Sequence, residues 1–159
     1  MTTESRTEDV QAYQLHLDSF TEEYDPRGAT ESHLVQALAD TSWRLNRVAG
    51  LETNLLSSPV DSLEVQAKVL SNLSMHSQRL SRQFERTVVQ LRELQKSRRA
   101  HERQELDNLL DIMEMYESKG ETYDPSEDGF VFSQDQINET ILARNRERLH
   151  DDALEYAEA

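Results

Sequence analysis

The chain has 159 residues, the size of one domain, of which 36% are hydrophobic and 30% charged. Four glycines, three prolines and no cysteine exclude a loop-rich or disordered chain, a disulfide scaffold, a thiolate metal site and a cysteine nucleophile. A net charge of −14 is too acidic for a protein that simply coats nucleic acid. There is no apolar run of the roughly 18 residues that a membrane span needs. Met1 to Arg6 has no apolar secretory core, so the expectation is a cytoplasmic protein with no membrane partner.

Breakers are few: Pro26 with Gly28, Pro59 alone, and the cluster Gly120, Pro125 and Gly129. They cut the chain into four segments, each with a helix-start signal. The first helix is predicted from about Thr7 to Tyr24, with Ser5 and Glu8 at capping-box spacing. Val10, Tyr13, Leu17, Phe20 and Tyr24 recur on one helical face. The second runs from about Glu31 to Leu56 with Thr30 as its N-cap, and Leu34, Leu38, Leu45, Val48, Leu51 and Leu55 form its stripe. Gly50 inside it either permits a close backbone approach or softens the helix, since glycine costs roughly 1 kcal/mol there.

The third segment opens with a second capping spacing, Asp61 and Glu64, and meets no Gly or Pro before Gly120. Leu63, Leu70, Leu73, Leu80, Phe84, Leu91 and Leu94 alternate at three- and four-residue steps, interrupted by Gln66, Ser77 and Thr87. Past Arg98 the stripe changes register to Leu106, Leu109, Leu110, Met113 and Tyr116, which reads as a stutter, a kink or a short break near Ser97 to Arg103. The fourth segment begins with an acidic loop, Glu121 to Gly129, and the apolar patch Phe130 to Phe132. Ser133 and Gln136 are a third capping spacing, and Ile137, Ile141, Leu142, Leu149, Ala153 and Tyr156 sketch a thin final stripe. Tyr24 to Pro26 and Tyr123 to Pro125 are the same Tyr-Asp-Pro triplet, which is ordinary turn chemistry rather than the mark of a repeat.

Charge is distributed unevenly. Residues 1–40 sum to −7, residues 41–100 to +5 and residues 101–159 to −12. In the basic middle, Arg79, Arg82 and Arg86 share a helical face away from the leucine seam, and Arg92, Lys96, Arg99 and Arg103 form a second group beside it. These cations either pair with the acidic ends of the same chain or a second copy, or form a stripe for phosphates or an acidic partner. No stacking aromatics alternate with them, so a surface that reads base sequence is not indicated.

The motifs of catalysis are missing. The five histidines (His16, His33, His76, His101, His150) form no His-x-x-x-His or His-Glu-x-x-His motif. Glu147 and His150 have the Glu-x-x-His spacing of di-iron bundles, but the motif occurs once and such a site needs it twice. His101 with Glu102 and Glu105 fills a single helical turn, a poor metal site, and the serines sit in no Gly-x-Ser-x-Gly elbow. The chain is therefore read as non-enzymatic, with no cofactor and no metal.

Glu31-Ser-His-Leu-Val-Gln-Ala-Leu-Ala-Asp-Thr-Ser-Trp-Arg-Leu-Asn-Arg-Val48, closing on Leu51 and Glu52, resembles a widespread uncharacterised family of predicted soil-bacterial proteins with a Glu…Leu-Val…Leu-Ala…Trp-Arg-Leu…Arg…Leu-Glu helix. Glu8 to Tyr13 upstream and Leu80 to Arg86 downstream are similar to the family's acidic and Arg-rich flanks, so the likeness covers roughly residues 7–95. The family's usual basic Asn-Ala-Leu-Lys-His-Gly-Leu start is not present. The resemblance implies a bacterial helical protein with no established activity, and singles out Trp43 and Arg44 as the sharpest matches. Trp43 is either core packing or a partner's anchor.

The resulting expectation is an all-α, elongated, coiled-coil-like bundle, about two-thirds helical. Its parts are a flexible 1–6, a helical hairpin or bundle over 7–118, an acidic loop over 119–133 and a peripheral C-terminal helix over 134–159. The second and third helices pair as an antiparallel hairpin. The expected function is that of a protein-interaction or scaffold protein, a self-associating one or an acidic nucleic-acid mimic among its variants. The alternative is a nucleic-acid-associated accessory factor using Arg79 to Arg103. The candidate partner-binding residues are Trp43, Arg44, Arg79, Arg82, Arg86, Arg92, Lys96, Arg99 and Arg103. The partner is another protein or a second copy, and nucleic acid is less favoured.

Overall fold

A computed structural model of the chain describes residues 3–57 and 62–158. The fold is all-α: helix makes up 90% of it, with four α-helices and no strand among the described residues. These are α1 (Thr3–Tyr24), α2 (Gly28–Ser57), α3 (Leu63–Lys119) and α4 (Gln134–Glu158), with a short 3-10 turn at Pro125–Asp128 ahead of α4. The helical share exceeds the expected two-thirds because all four segments are helical over nearly their whole length, α3 without a break and α4 as far as Glu158. Among the described residues, no helix is long and apolar enough to cross a membrane.

The helix starts do not all follow the caps that the sequence suggests. Ser5 lies within α1 and Thr30 within α2, so neither is the cap that its spacing suggests. At the start of α2 the Glu31 carboxylate instead accepts the backbone N–H of Arg27 at 2.9 Å. Asp61 lies outside the described residues. The third signal holds: Ser133 N–H donates to Gln136 Oε1 (2.9 Å), and Gln136 N–H donates to Ser133 Oγ (3.3 Å). That is the reciprocal capping box. The two Tyr-Asp-Pro triplets do opposite jobs. Asp25 ends α1 with φ +40°, whereas Asp124 starts the 3-10 turn from extended backbone, its carboxylate accepting Ser126 N–H. The α3 helix ends in a Schellman motif, with Gly120 N–H bonded to Glu117 O and Glu121 N–H to Tyr116 O. Gly120 takes the left-handed φ of +75° that this motif requires.

The chain forms two compact units, residues 1–95 and 96–159. The division falls inside α3, whereas the sequence suggested a boundary in the acidic loop. The first unit holds α1, α2 and the first half of α3. Val35, Leu38 and Leu91 form its buried centre, with Phe20, Tyr24, Leu34, Phe84 and Val88 packed around them. Gln66 Nε2 donates to Leu55 O (2.8 Å) near one end of the α2–α3 pair, and Leu91 meets Val35 and Leu38 near the other. The two helices therefore run antiparallel, as a hairpin. The α1 helix is antiparallel to α2 as well, because Tyr13 bonds to Asp40 and His16 Nε2 lies 3.1 Å from Ala39 O.

The leucine seam is only partly buried. Leu80 and Leu91 are covered, but Leu63 and Leu94 are exposed, as are Val10 on α1 and Leu51 on α2. Conversely, Glu31, Thr41, Thr87 and Gln95 are buried polar residues. Each has a partner: Thr41 and Thr87 donate to Ala37 O and Gln83 O one turn back, and Gln95 Nε2 donates to Tyr24 O at 2.7 Å and reaches Glu31 at 3.5 Å. A Cβ added at Gly50 would meet nothing within 4 Å, so no close backbone approach requires that glycine.

The second unit holds the rest of α3, the loop and α4. Leu109, Leu110 and Ile137 are its buried centre, walled by Leu106, Met113, Tyr123, Phe130 and Phe132. The helix passes through Ser97 to Arg103 without a break. The apolar register of α3 changes where its packing partner changes, from α1 and α2 to α4 and its preceding loop.

Candidate interaction surfaces

Trp43 sits on the α1-facing side of α2, half-buried. Its ring meets Tyr13 edge-on at 5.6 Å and tilts against His16 at 5.5 Å. Tyr13 donates to the Asp40 carboxylate. That hydrogen bond, then burial and the Asp40 charge, raise the Tyr13 phenol above its usual value. One edge of the indole stays open beside Asp9, Val10 and Arg47 in a shallow depression. Trp43 thus ties α1 to α2, and its exposed edge is a minor surface feature. Arg44 is exposed.

The α3 surface opposite the hairpin core carries the first arginine group. Arg79, Arg82 and Arg86 are all exposed and line one open groove with Gln83 and Gln90. Arg82 Nε donates to Gln78 O one turn back (3.2 Å). Among the described residues, no carboxylate comes within 4.0 Å of Arg79, Arg82 or Arg86. Met75 and Val89, exposed by 49% and 54%, lie on the same face at either end of the arginine row. Arg92 is exposed in the same unit.

Four arginines of the second unit meet a different fate. Arg103 pairs with Glu147 at 3.2 Å, Arg98 with Glu102 at 3.2 Å, and Arg148 approaches Glu114 at 3.9 Å. Arg144 is the most committed of the four: it is half-buried, contacts Asp111 Oδ1 at 2.8 Å and Asp107 Oδ1 at 3.3 Å, and donates to Asp107 O at 3.1 Å. Burial acts to lower its pKa, but the Asp111 and Asp107 carboxylates outweigh burial and raise it. Between α3 and α4, Glu102, Arg103, Asp107, Arg144 and Glu147 border an open cleft of about 840 Å³, to which Arg99 and Arg146 also contribute. Lys96 is exposed. The sequence missed Arg144, because it sits 33 and 37 residues from its partners on a helix of thin apolar signal.

The loop ahead of α4 is built as carefully as the helices. Tyr123 stacks on Tyr116 with centroids 4.8 Å apart and donates to Asp128 Oδ2 at 2.8 Å. Its phenol is pushed up to about 12, first by partial burial and then by the Asp128 hydrogen bond and charge. The Asp124 carboxyl is held below its usual value by the hydroxyl and backbone N–H of Ser126.

Ligand chemistry is not concentrated anywhere. Among the described residues, no group of three or more His, Asp or Glu is arranged to hold a metal. Glu147 and His150, the isolated Glu-x-x-His pair, are both largely exposed, with Glu147 engaged by Arg103 and His150 Nδ1 3.7 Å from Asp151. The chain matches no family model, no curated protein and no solved structure.

Proposed function

We propose that this chain is a non-enzymatic helical interaction protein, whose partners are proteins. One observation carries the reading. The α1 helix is antiparallel to α2 and is shorter, 22 residues against 30. With Tyr13 opposite Asp40, the start of α1 comes level with roughly Gly50, about two helical turns short of the end of α2. Beyond it Leu51 and Leu56 on α2 and Leu63, Val65 and Val69 on α3 stand exposed by 40% to 80%. Apolar side chains exposed at one end of the α2–α3 pair offer contact area for another protein. A cytoplasmic, bacterial protein like the family named above is consistent with this reading.

A photo-crosslinking residue placed at Val65 of the full chain tests it. Adducts to protein, whether the chain itself or another, are expected. Adducts to nucleic acid, or none in extract from the native host, overturn the reading.

The second reading, a nucleic-acid accessory factor, draws on the lack of described counter-charge around Arg79, Arg82 and Arg86. It is the weaker one, because the net charge of −14 repels polyanions and no aromatic ring lies on that face for bases to stack on. Fluorescence anisotropy with labelled single- and double-stranded oligonucleotides is expected to show no binding at physiological salt. The acidic-mimic variant is weakened by the acids of the second unit that are already paired: Asp107, Asp111, Glu102 and Glu147.

A further inference from the structure

We infer that the arginine face of α3 is the docking site for the C-terminal turns of α4 from a second copy of this chain. The inference rests on the reading of the protein as an interaction module, and it names the partner for a surface that reading leaves open. Two surfaces of opposite character carry it.

The first is the row Met75, Arg79, Arg82, Arg86 and Val89. Met75, Arg82 and Val89 follow one another at seven-residue steps, and Arg79 and Arg86 do the same, so all five share a face turned away from the hairpin core. Three guanidinium groups without a carboxylate within 4.0 Å among the described residues are thus bracketed by two exposed apolar side chains. Phosphate recognition has no use for Met75 and Val89, whereas an amphipathic acidic helix uses both the charges and the apolar ends.

The second surface is such a helix. From Leu149 to Ala157 α4 is exposed, and Asp151, Asp152 and Glu155 project there with no Lys or Arg among them. Leu149 and Tyr156 are again seven residues apart, exposed by 68% and 88%, and on the helical wheel Asp152, Glu155 and Asp151 follow in turn on one side of the line that joins them. Asp151 to Glu155 span about 6 Å of helix, within the roughly 10.5 Å between Arg79 and Arg86, so the acids fit inside the length of the arginine row. A chain of −14 repels a second copy over most of its surface. Apposing these two segments sets positive against negative charge. In a two-fold dimer the contact is made twice, each copy giving its α4 end and receiving the other's.

Sedimentation or light scattering of the full chain tests this with a charge swap. The wild type is expected to dimerise at tens of micromolar in low salt and to weaken as salt rises. The triple reversals Arg79→Glu, Arg82→Glu, Arg86→Glu and Asp151→Lys, Asp152→Lys, Glu155→Lys should each raise the dissociation constant on the order of 100-fold, as like charges come into contact. Mixing the two variants restores every complementary contact, so a heterodimer of wild-type strength is expected. All substitutions are at exposed positions, and circular dichroism of each variant should match the wild type. A dimer insensitive to either reversal overturns this site while leaving the interaction reading intact. A wild type monomeric at every salt concentration also overturns it, with the crosslink at Val65 still deciding the broader reading. Displacement of the dimer by an oligonucleotide at physiological salt would assign the arginine face to phosphates and overturn it as well.

Discussion

The two units solve the same problem, covering one face of α3, with different materials. The first uses aliphatic and aromatic side chains from three helices, closed by a small buried polar network of Gln95, Tyr24 O and Glu31. The second uses three buried aliphatic residues, a ring of loop aromatics and a ladder of ion pairs centred on Arg144. The basic residues follow suit. On the first unit Arg79, Arg82 and Arg86 have no carboxylate in reach among the described residues, and on the second Arg98, Arg103 and Arg144 are tied to acids of the same unit. A residue type therefore predicts little about its role here: Arg79, Arg82 and Arg86 are outward-facing surface, whereas Arg144 is part of the packing between α3 and α4.

The comparison breaks most sharply in the cores. Leu91→Ala and Leu109→Ala each empty a fully buried site and should cost about 2–5 kcal/mol in chemical denaturation. If the units unfold independently, Leu91→Ala shifts only the transition of the first and Leu109→Ala only that of the second, which probes at Trp43 and at Tyr123 can separate. A single shared transition would show instead that α3 couples them.

Gln95→Leu probes the buried polar network. It removes the donor to Tyr24 O and a partner of buried Glu31, and should cost the first unit about 1–3 kcal/mol. Arg144→Gln probes the ion-pair ladder. Its guanidinium is half-buried and reaches two carboxylates and a carbonyl, so the loss should be about 1–2 kcal/mol. An effect below 0.5 kcal/mol, as is common for a surface pair, would make the ladder decorative and the aromatics sufficient.

Tyr123 offers a test by pH. Its phenol titrates at about 12 in the folded chain against 10.0 for the free group. The folded state therefore favours the protonated form. The stabilisation is fully present below pH 10.0 and is lost as pH rises towards about 12. Tyr123→Phe should be less stable than wild type at neutral pH and should lose less stability over that alkaline window; equal slopes would contradict the link between Tyr123 and Asp128. The smallest effect is expected from Arg79→Gln, Arg82→Gln and Arg86→Gln together. With no described carboxylate to lose, the triple change should move thermal stability by no more than about 1 kcal/mol, so any change in self-association is separable from folding.

Helix content and the α2–α3 hairpin were legible in the sequence because both depend on near neighbours: periodic leucines, a scarcity of Gly and Pro, and short links. The capping box at Ser133 was legible for the same reason, while Ser5 and Thr30 misled because both helices begin ahead of them, α2 with the Glu31 carboxylate taking the Arg27 N–H instead. The register change near Arg98 was visible as a break in pattern. Its meaning, a change of packing partner along one unbroken helix, came only from the positions of α1, α2 and α4. Burial of Glu31, Thr87 and Gln95 was invisible, since a polar residue becomes tolerable inside only when a distant carbonyl or its own turn supplies the partner. Tyr123, Phe130 and Phe132 read as loop residues and became core for a related reason: no periodicity announces a side chain whose place is set by the helix it folds against. The arginine face was chosen from sequence as one group with a second beside it. Tertiary structure singled Arg103 out of that second group, because its carboxylate partner Glu147, 44 residues away, is brought near only by the fold.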